Sequence, residues 1–396
     1  MNQPGLLARL PAALPRDVLA VLAAKAARTF CYGFLGIVLP LYLGELGLGA
    51  AAIGASVTLT LAGSAVLTWA VRRPAETYGA RATLLGLAAL SAVAAGLLLV
   101  TGQPWLVVAA AMLGNVAVGT GETGPFLTLE QVVVARSVTG HRRTAMLSVY
   151  NLLGYGAAAL GAAAAGLASY RALFALFLAG AAVQALSYAF LPSSPRAAGR
   201  SRGPLPSAPL IRRLAALFAL DSFAGGFVLQ SLIAYFLHVR FGLDLAQLGL
   251  TFFTAQVLTA ASLLLAVPLA RRFGLLRTMV VSHLASNVVL IAIAFAPTAA
   301  AAVALLLLRQ LMSQLDVPTR QAYLMAVVED REREAAASLT NLARTVTQAV
   351  SPALTGWIMQ AVAAGAPFVI GGALKIVYDL ALYAMFRDVR LREPEG

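Results

Sequence analysis

Apolar residues run along this chain in blocks of about twenty or more, separated by short polar segments. A helix needs roughly 20 apolar residues to cross the hydrocarbon layer of a bilayer. Twelve runs reach about that length: 18–43, 52–71, 83–101, 105–134, 144–168, 172–191, 213–237, 247–269, 278–296, 299–328, 335–363 and 366–386. These are too long for barrel strands, which alternate polarity over about 9–11 residues. The pattern predicts an all-α membrane protein of twelve transmembrane helices. Twelve spans in 396 residues leave only short loops and no room for an extramembrane domain.

Composition agrees. Apolar residues make up 60 % of the chain and charged residues 11 %, with a mean hydropathy of +0.83; a soluble domain carries about 25 % charged residues. The net charge of +13 would suggest nucleic acid in a soluble protein. Here the arginines fall in alternate gaps between the apolar runs, with only Arg171 and Arg240 in the gaps of the other set. Cytoplasmic loops are the Lys/Arg-rich ones, so both termini are expected in the cytoplasm of a plasma (inner) membrane protein, with no nucleic-acid partner. The first run is too long for a signal-peptide core and is expected to be retained. The single Cys31 excludes an intrachain disulfide and a cysteine zinc site.

The longest polar stretch, PSSPRAAGRSRGPLPSAP over 192–209, divides the runs six and six. The expected organisation is a cytoplasmic segment 1–17, a six-helix bundle 18–191, a cytoplasmic linker 192–212, a second bundle 213–386 and a tail 387–396. The halves repeat each other. At an offset of 190, Gln131, Arg143, Ser148, Asn151 and Gly166 meet Gln321, Arg333, Ser338, Asn341 and Gly356. Earlier, at an offset of 195, Leu46-Gly47-Leu48 meets Phe241-Gly242-Leu243. Parallel duplicated bundles are a transporter architecture.

Between runs 2 and 3 the chain reads Arg72-Arg73-Pro74-Ala75-Glu76-Thr77-Tyr78-Gly79-Ala80-Arg81, echoed by Ala270-Arg271-Arg272-Phe273-Gly274-Leu275-Leu276-Arg277. With the 6+6 repeat and the basic central loop, these turns resemble the major facilitator superfamily over essentially the whole chain. Arg72, Glu76 and Thr77 depart from the family pattern of Gly, Asp and a basic residue, while Tyr78-Gly79 and Arg81 keep it. Glu76 and Arg81 are therefore expected in an altered inner gate. The resemblance implies that spans 1, 4, 7 and 10 line a central cavity.

An ionisable residue inside a span costs a few kcal/mol (about 2.5–3.5 on insertion scales) and is a functional candidate by default. In span 10, Arg309, Ser313, Asp316 and Arg320 lie at i, i+4, i+7 and i+11 on one helix face, which cannot face lipid. In span 4, Asn115, Gly119 and Glu122 share a face, with Glu130 nearer the cytoplasm. Span 1 carries Lys25 and Arg28, span 7 Asp221 and span 11 Arg344. The expected substrate and proton pathway is Arg28, Asn115, Glu122, Asp221, Arg309, Ser313, Asp316 and Arg344. Lys25, Glu76, Arg81, Glu130 and Arg320 are expected at the gate. Asp221 is expected to pair with Arg28 or Lys25 and Glu130 with Arg320. Lys375 and Asp379 are expected to pair at i, i+4 on span 12, and His283 to be a hydrogen-bonded core residue.

Gly119-Thr120-Gly121-Glu122-Thr123-Gly124 matches GxGxxG, but inside an apolar run small residues serve helix packing. No P-loop, nucleophile elbow or HExxH is present, so no enzyme activity, metal or cofactor is expected. The expected function is secondary active transport of a small molecule by alternating access, proton-coupled, by a monomer in the lipid bilayer. Midplane Arg309 favours an organic anion or zwitterion, and aromatics such as Phe30 and Phe223 suit drug-like cations, with export the favoured direction. The alternatives are a lipid or lysolipid flippase and a non-transporting receptor.

Overall fold

A computed structural model of the chain describes residues 14–116, 124–138, 141–192, 207–313, 315, 319–320, 323–324, 327–328 and 332–387. Among these residues the structure is helical, with no strand. The helices of the first half are α1 (Arg16–Glu45), α2 (Ala50–Ala70), α3 (Arg72–Val100), α4 (Pro104–Leu113), α5 (Pro125–Ser137), α6 (His141–Ala164) and α7 (Tyr170–Ala189). Those of the second half are α8 (Ala208–Gly226), α9 (Gln230–Phe241), α10 (Leu245–Phe273), α11 (Leu275–Ala294), α12 (Ala299–Ser313), α13 (Arg333–Ala361) and α14 (Ala366–Phe386).

Nine segments among the described residues are long and apolar enough to cross a membrane. In hydrocarbon each backbone N–H and C=O must find a partner within the protein, and a helix supplies it locally. Where helices start, the sequence helps. Pro104 and Pro125 open α4 and α5, and the Ser169 side chain accepts a hydrogen bond from Ala172 N at 3.4 Å to cap α7. α13 is long enough to span, but Thr340, Arg344, Gln348, Ser351 and Thr355 lower its hydropathy and keep it out of the nine.

Two expected spans are not continuous helices. The run 105–134 is built as α4 and α5, with Asn115 at φ 49° and Gly124 at φ 117° flanking the break. A non-glycine residue in the left-handed region ends a helix, and Pro125 cannot continue one from upstream. The segment 117–123, which carries most of the GxGxxG match and Glu122, lies outside the described residues. The run 213–237 is likewise divided into α8 and α9, with Leu229 extended between them (φ −65°, ψ 151°).

The repeat is visible in the backbone itself. Gly47 and Gly242 have φ of 90° and 71°, and Gly79 and Gly274 have φ of 81° and 86° with ψ of 169° and 157°. Both pairs keep the offset of 195, and each needs the conformational freedom that glycine has.

The chain divides into two compact units. One comprises Met1–Gly47, Leu59–Gly199 and Asp244–Phe253; the other comprises Leu48–Thr58, Arg200–Leu243 and Thr254–Gly396. In the first, Phe126, Val134, Met146, Tyr150 and Tyr188 form part of a buried core with Val18, Val21 and Leu84. In the second, Leu214, Phe218, Met279, Tyr323, Tyr378 and Leu382 do the same. Small residues bring the helices together. A Cβ added to Gly161 of α6 would collide with the Phe30 carbonyl of α1, and one on Gly33 with the Ala158 carbonyl. In the second unit, a Cβ on Gly226 of α8 would collide with Ser351 Oγ of α13. Without a hydrophobic force between helices in lipid, close backbone approach supplies the association energy.

Gly161→Leu should therefore lower stability by about 1–3 kcal/mol or more, through overpacking against α1. Gly156→Leu, where an added Cβ meets nothing within 4 Å, should stay within about 0.5 kcal/mol. Thermal unfolding of the two detergent-purified variants separates them; equal losses would show that the α1–α6 approach is not tight.

Candidate functional site

Charged side chains inside the helices gather in two clusters, one in each unit. In the first unit, Arg28 of α1 is fully buried and meets Glu130 of α5 in a bidentate pair, Nη1 to Oε1 at 2.9 Å and Nη2 to Oε2 at 2.6 Å. Tyr188 Oη of α7 donates to Glu130 Oε1 at 2.6 Å, and Tyr150 Oη of α6 donates to Oε2 at 2.5 Å. The Arg28 guanidinium also stacks over the Phe126 ring at 4.5 Å. Four helices thus satisfy one ion pair, as a dry interior requires. Lys25, one turn before Arg28 and buried, holds its ammonium 4.4 Å from the centre of the Tyr150 ring.

In the second unit the centre is Asp221 of α8. Lys375 Nζ of α14 donates to its Oδ1 at 2.6 Å, and Arg320 Nη1 donates to its Oδ2 at 3.2 Å. His283 Nε2 of α11 stands 3.6 Å from Oδ1. The other imidazole nitrogen, Nδ1, lies 2.7 Å from Asp379 Oδ1 of α14, whose Oδ2 accepts from Asn287 Nδ2 at 2.9 Å. All of these side chains are buried.

The buried positions show how the clusters correspond. On α1 and α8, Arg28 and Asp221 occupy equivalent buried positions, flanked by Val21, Ala24 and Cys31 on one helix and Leu214, Leu217 and Ala224 on the other. Glu130 and Arg320 correspond at the offset of 190. The ion pair that ties the first helix of a half to its fourth segment is therefore present in both units with its charges exchanged: Arg28–Glu130 in one, Asp221–Arg320 in the other.

Several expected pairings are corrected. Asp221 pairs with Lys375 and Arg320 in place of the expected Arg28 or Lys25. Glu130 pairs with Arg28 in place of the expected Arg320. Lys375 and Asp379 do not pair with each other but reach Asp221 and His283 respectively. In each case the four-residue or cross-half spacing gave way to the position of the neighbouring helix, which sequence distance does not encode. His283 is buried and hydrogen-bonded, as expected, but its partners are two carboxylates on two helices.

The remaining polar candidates are more open. Arg309 of α12 and Arg344 of α13 are half-buried. Arg309 Nη1 donates to Gln310 Oε1 at 3.1 Å, and Ser313 Oγ to the same oxygen at 3.1 Å. Arg344 Nε donates to Ser222 Oγ of α8 at 2.9 Å. Asn115 is 3 % exposed, and among the described residues neither atom of its carboxamide has a hydrogen-bond partner. It flanks the α4–α5 break beside Gly124, where an added Cβ would come 2.7 Å from Ser64 Oγ and 2.9 Å from Asn115 Oδ1. Glu76 is exposed and Arg81 half-buried, on either side of Gly79. Asp316 and Glu122 lie outside the described residues. No group of three metal-ligating side chains occurs among the described residues.

The family model described as Major Facilitator Superfamily matches residues 21–308 and, separately, 214–396. An uncharacterized membrane protein of Saccharomyces cerevisiae, YJR124C, is 24 % identical over 94 % of this chain and 95 % of its own length. Among solved structures, the nucleoside transporter NupG has a TM-score of 0.73 at 15 % identity, covering 94 % of this chain and 99 % of its own. An auto-inhibited peptide transporter of the POT family has a TM-score of 0.74 at 12 % identity, covering 96 % and 99 %. At these identities the structural likeness shows the fold.

Removing one member of a buried ion pair leaves an uncompensated charge, a loss of about 3–5 kcal/mol. Arg28→Met and Glu130→Leu should each destabilise by about that much, and the double variant by clearly less than their sum. Thermal unfolding of the three variants measures the coupling; simple additivity would show that the two groups do not stabilise each other.

Proposed function

The chain belongs to the major facilitator superfamily, and from that membership we propose that it is a proton-coupled secondary transporter of a small organic anion or zwitterion. Two six-helix bundles would expose a midplane site to each side of the membrane in turn. The arginine distribution supports cytoplasmic termini, in the plasma (inner) membrane of the cell. Export is the favoured direction and a monomer the working unit.

The carrying observation is the half-buried state of Arg309 in the apolar helix α12 and of Arg344 among the polar residues of α13. A cation that keeps exposure at membrane depth faces water and not lipid. A guanidinium presents a rigid fork of donors that matches a carboxylate or phosphate bidentately. Asn115 adds a donor and an acceptor with no hydrogen-bond partner among the described residues. A buried unsatisfied amide costs about 1–3 kcal/mol, which a ligand hydrogen-bonding there would recover. Asn115 sits at a helix break, where transporters of repeated architecture place substrate groups. Arg309, Arg344, Ser313 and Asn115 are thus assigned to substrate. Asp221 is assigned to proton coupling, and Glu76 and Arg81 to the inner gate.

The test is a thermal-shift screen of purified protein against citrate, para-aminohippurate, glutamate, tetraphenylphosphonium and lysophosphatidylcholine. A ligand at a hundred times its Kd adds about 2.7 kcal/mol of stability. Stabilisation by an anion or zwitterion, lost at least tenfold in affinity in Arg309→Ala and Arg344→Ala, is the expected result. Stabilisation by tetraphenylphosphonium alone would turn the reading to drug-like cations, and by the lysolipid alone to lipid flipping.

A further inference from the structure

Hydrogen-bonding groups that neither ion-pair cluster uses converge at the break in the fourth apolar run. Its two ends meet there. A Cβ added to Gly124 would come 2.9 Å from Asn115 Oδ1, 3.0 Å from Asn115 Nδ2 and 2.7 Å from Ser64 Oγ of α2. The buried carboxamide of Asn115 therefore lies against the residue that opens α5, beside the space its missing side chain leaves. Among the described residues neither atom of that carboxamide takes a hydrogen bond.

The start of α5 is short of partners as well. Gly124 has no side chain to cap it, and Pro125 at its opening has no N–H. Thr128 N donates to Gly124 O at 3.3 Å. The N–H groups of Phe126 and Leu127 come before it and find no partner among the described residues. Where α7 and α10 begin, Ser169 and the reciprocal pair of Asp244 with Gln247 supply the cap that α5 lacks. Unsatisfied N–H groups at a helix start carry about half a positive charge. This start lies inside the apolar run 105–134, where hydrocarbon cannot answer it. The one carboxylate of α5, Glu130, is already held by Arg28. Gly124 itself is half-buried, which gives a ligand access.

We propose that this break is an oxyanion site in the first unit. A carboxylate or phosphoryl group accepts from the N–H groups of Phe126 and Leu127 and from Asn115 Nδ2, with the Ser64 hydroxyl as a further donor. The absent Cβ of Gly124 lets the group approach the helix end. All four donors are neutral, and hydrogen bonds from neutral donors are weaker than those from a guanidinium. Such a site can hold an anion and still release it, as a carrier must. The inference rests on the organic-anion reading above and gives that anion an anchor that involves neither Arg309 nor Arg344.

The test observes the Phe126 amide directly. Full-length protein in nanodiscs carries carbon-13 at proline carbonyls and nitrogen-15 at phenylalanine. Only Pro125–Phe126 and Pro367–Phe368 then give a coupled signal, and Pro367→Ala removes the second. Sodium acetate and sodium phosphate are each titrated against sodium chloride at constant ionic strength. The expected result is a saturable downfield shift of the Phe126 amide proton while Phe368 stands still. Saturation by acetate marks a carboxylate site, and by phosphate alone a phosphoryl site. Asn115→Gly removes the carboxamide and suits the left-handed backbone there. It should weaken the affinity about tenfold, the worth of one hydrogen bond to an anion. Asn115→Asp keeps the shape but sets a like charge at the site, and should abolish the shift. A Phe126 amide that never saturates, that moves equally with chloride, or that responds unchanged in both Asn115 variants would overturn the proposal. The unsubstituted protein decides alone should neither variant fold. The shift should survive in Arg309→Ala and Arg344→Ala, so failure of the arginine assignment in the ligand screen would leave this site standing.

Discussion

A hydrocarbon layer offers no water to hold a charge, so an ionised side chain shut away from water is best answered by another one. That constraint organises both halves. Arg28 could not lie at 0 % exposure in α1 without the Glu130 carboxylate of α5. The two tyrosines that donate to Glu130 come from α6 and α7. One ion pair therefore fixes the rotation of four helices about their own axes. Small residues set how near the helices come, as at Gly33 and Gly161, but they leave rotation open; the polar pair closes it.

The exchange of charge between the halves follows from the same constraint. A duplicated bundle needs a matched pair between its first helix and its fourth segment, and either sign satisfies the electrostatics. Arg28–Glu130 and Asp221–Arg320 are the two solutions, at equivalent positions of one molecule. The geometry differs with the sign. The longer Arg28 reaches both oxygens of Glu130 and stacks on Phe126, leaving a closed site. The short Asp221 side chain keeps an oxygen for Lys375 and the approach of His283. The second pair is thereby left sensitive to its neighbours.

Much of this was legible in the sequence. The apolar runs gave the helical segments, and the paired glycines gave the repeat, since Gly47 with Gly242 and Gly79 with Gly274 recur in the same unusual backbone conformation. The identities of the buried charges were also plain, because Lys, Arg, Asp and Glu are rare in such runs. Their partners were not. A fixed offset of 190 pairs Lys375 and Asp379 with Ala185 and Ala189, whereas the buried faces align at 191 and set them against Gln184 and Tyr188. Loops of unequal length shift the register at each turn, and one residue of error rotates a helix by about 100°. The break at Asn115 was hidden for a related reason: glycine-rich apolar sequence is compatible both with tight helix packing and with an interrupted helix.

The two clusters differ in what closes them. In the first, two tyrosine hydroxyls and a bidentate arginine take up both oxygens of Glu130. In the second, Lys375 and Asp379 stand where the first unit has Gln184 and Tyr188, and the His283 imidazole lies between Asp221 and Asp379. One duplicated frame thus carries two different polar centres, and the shorter acid is what leaves room for the additional groups in the second.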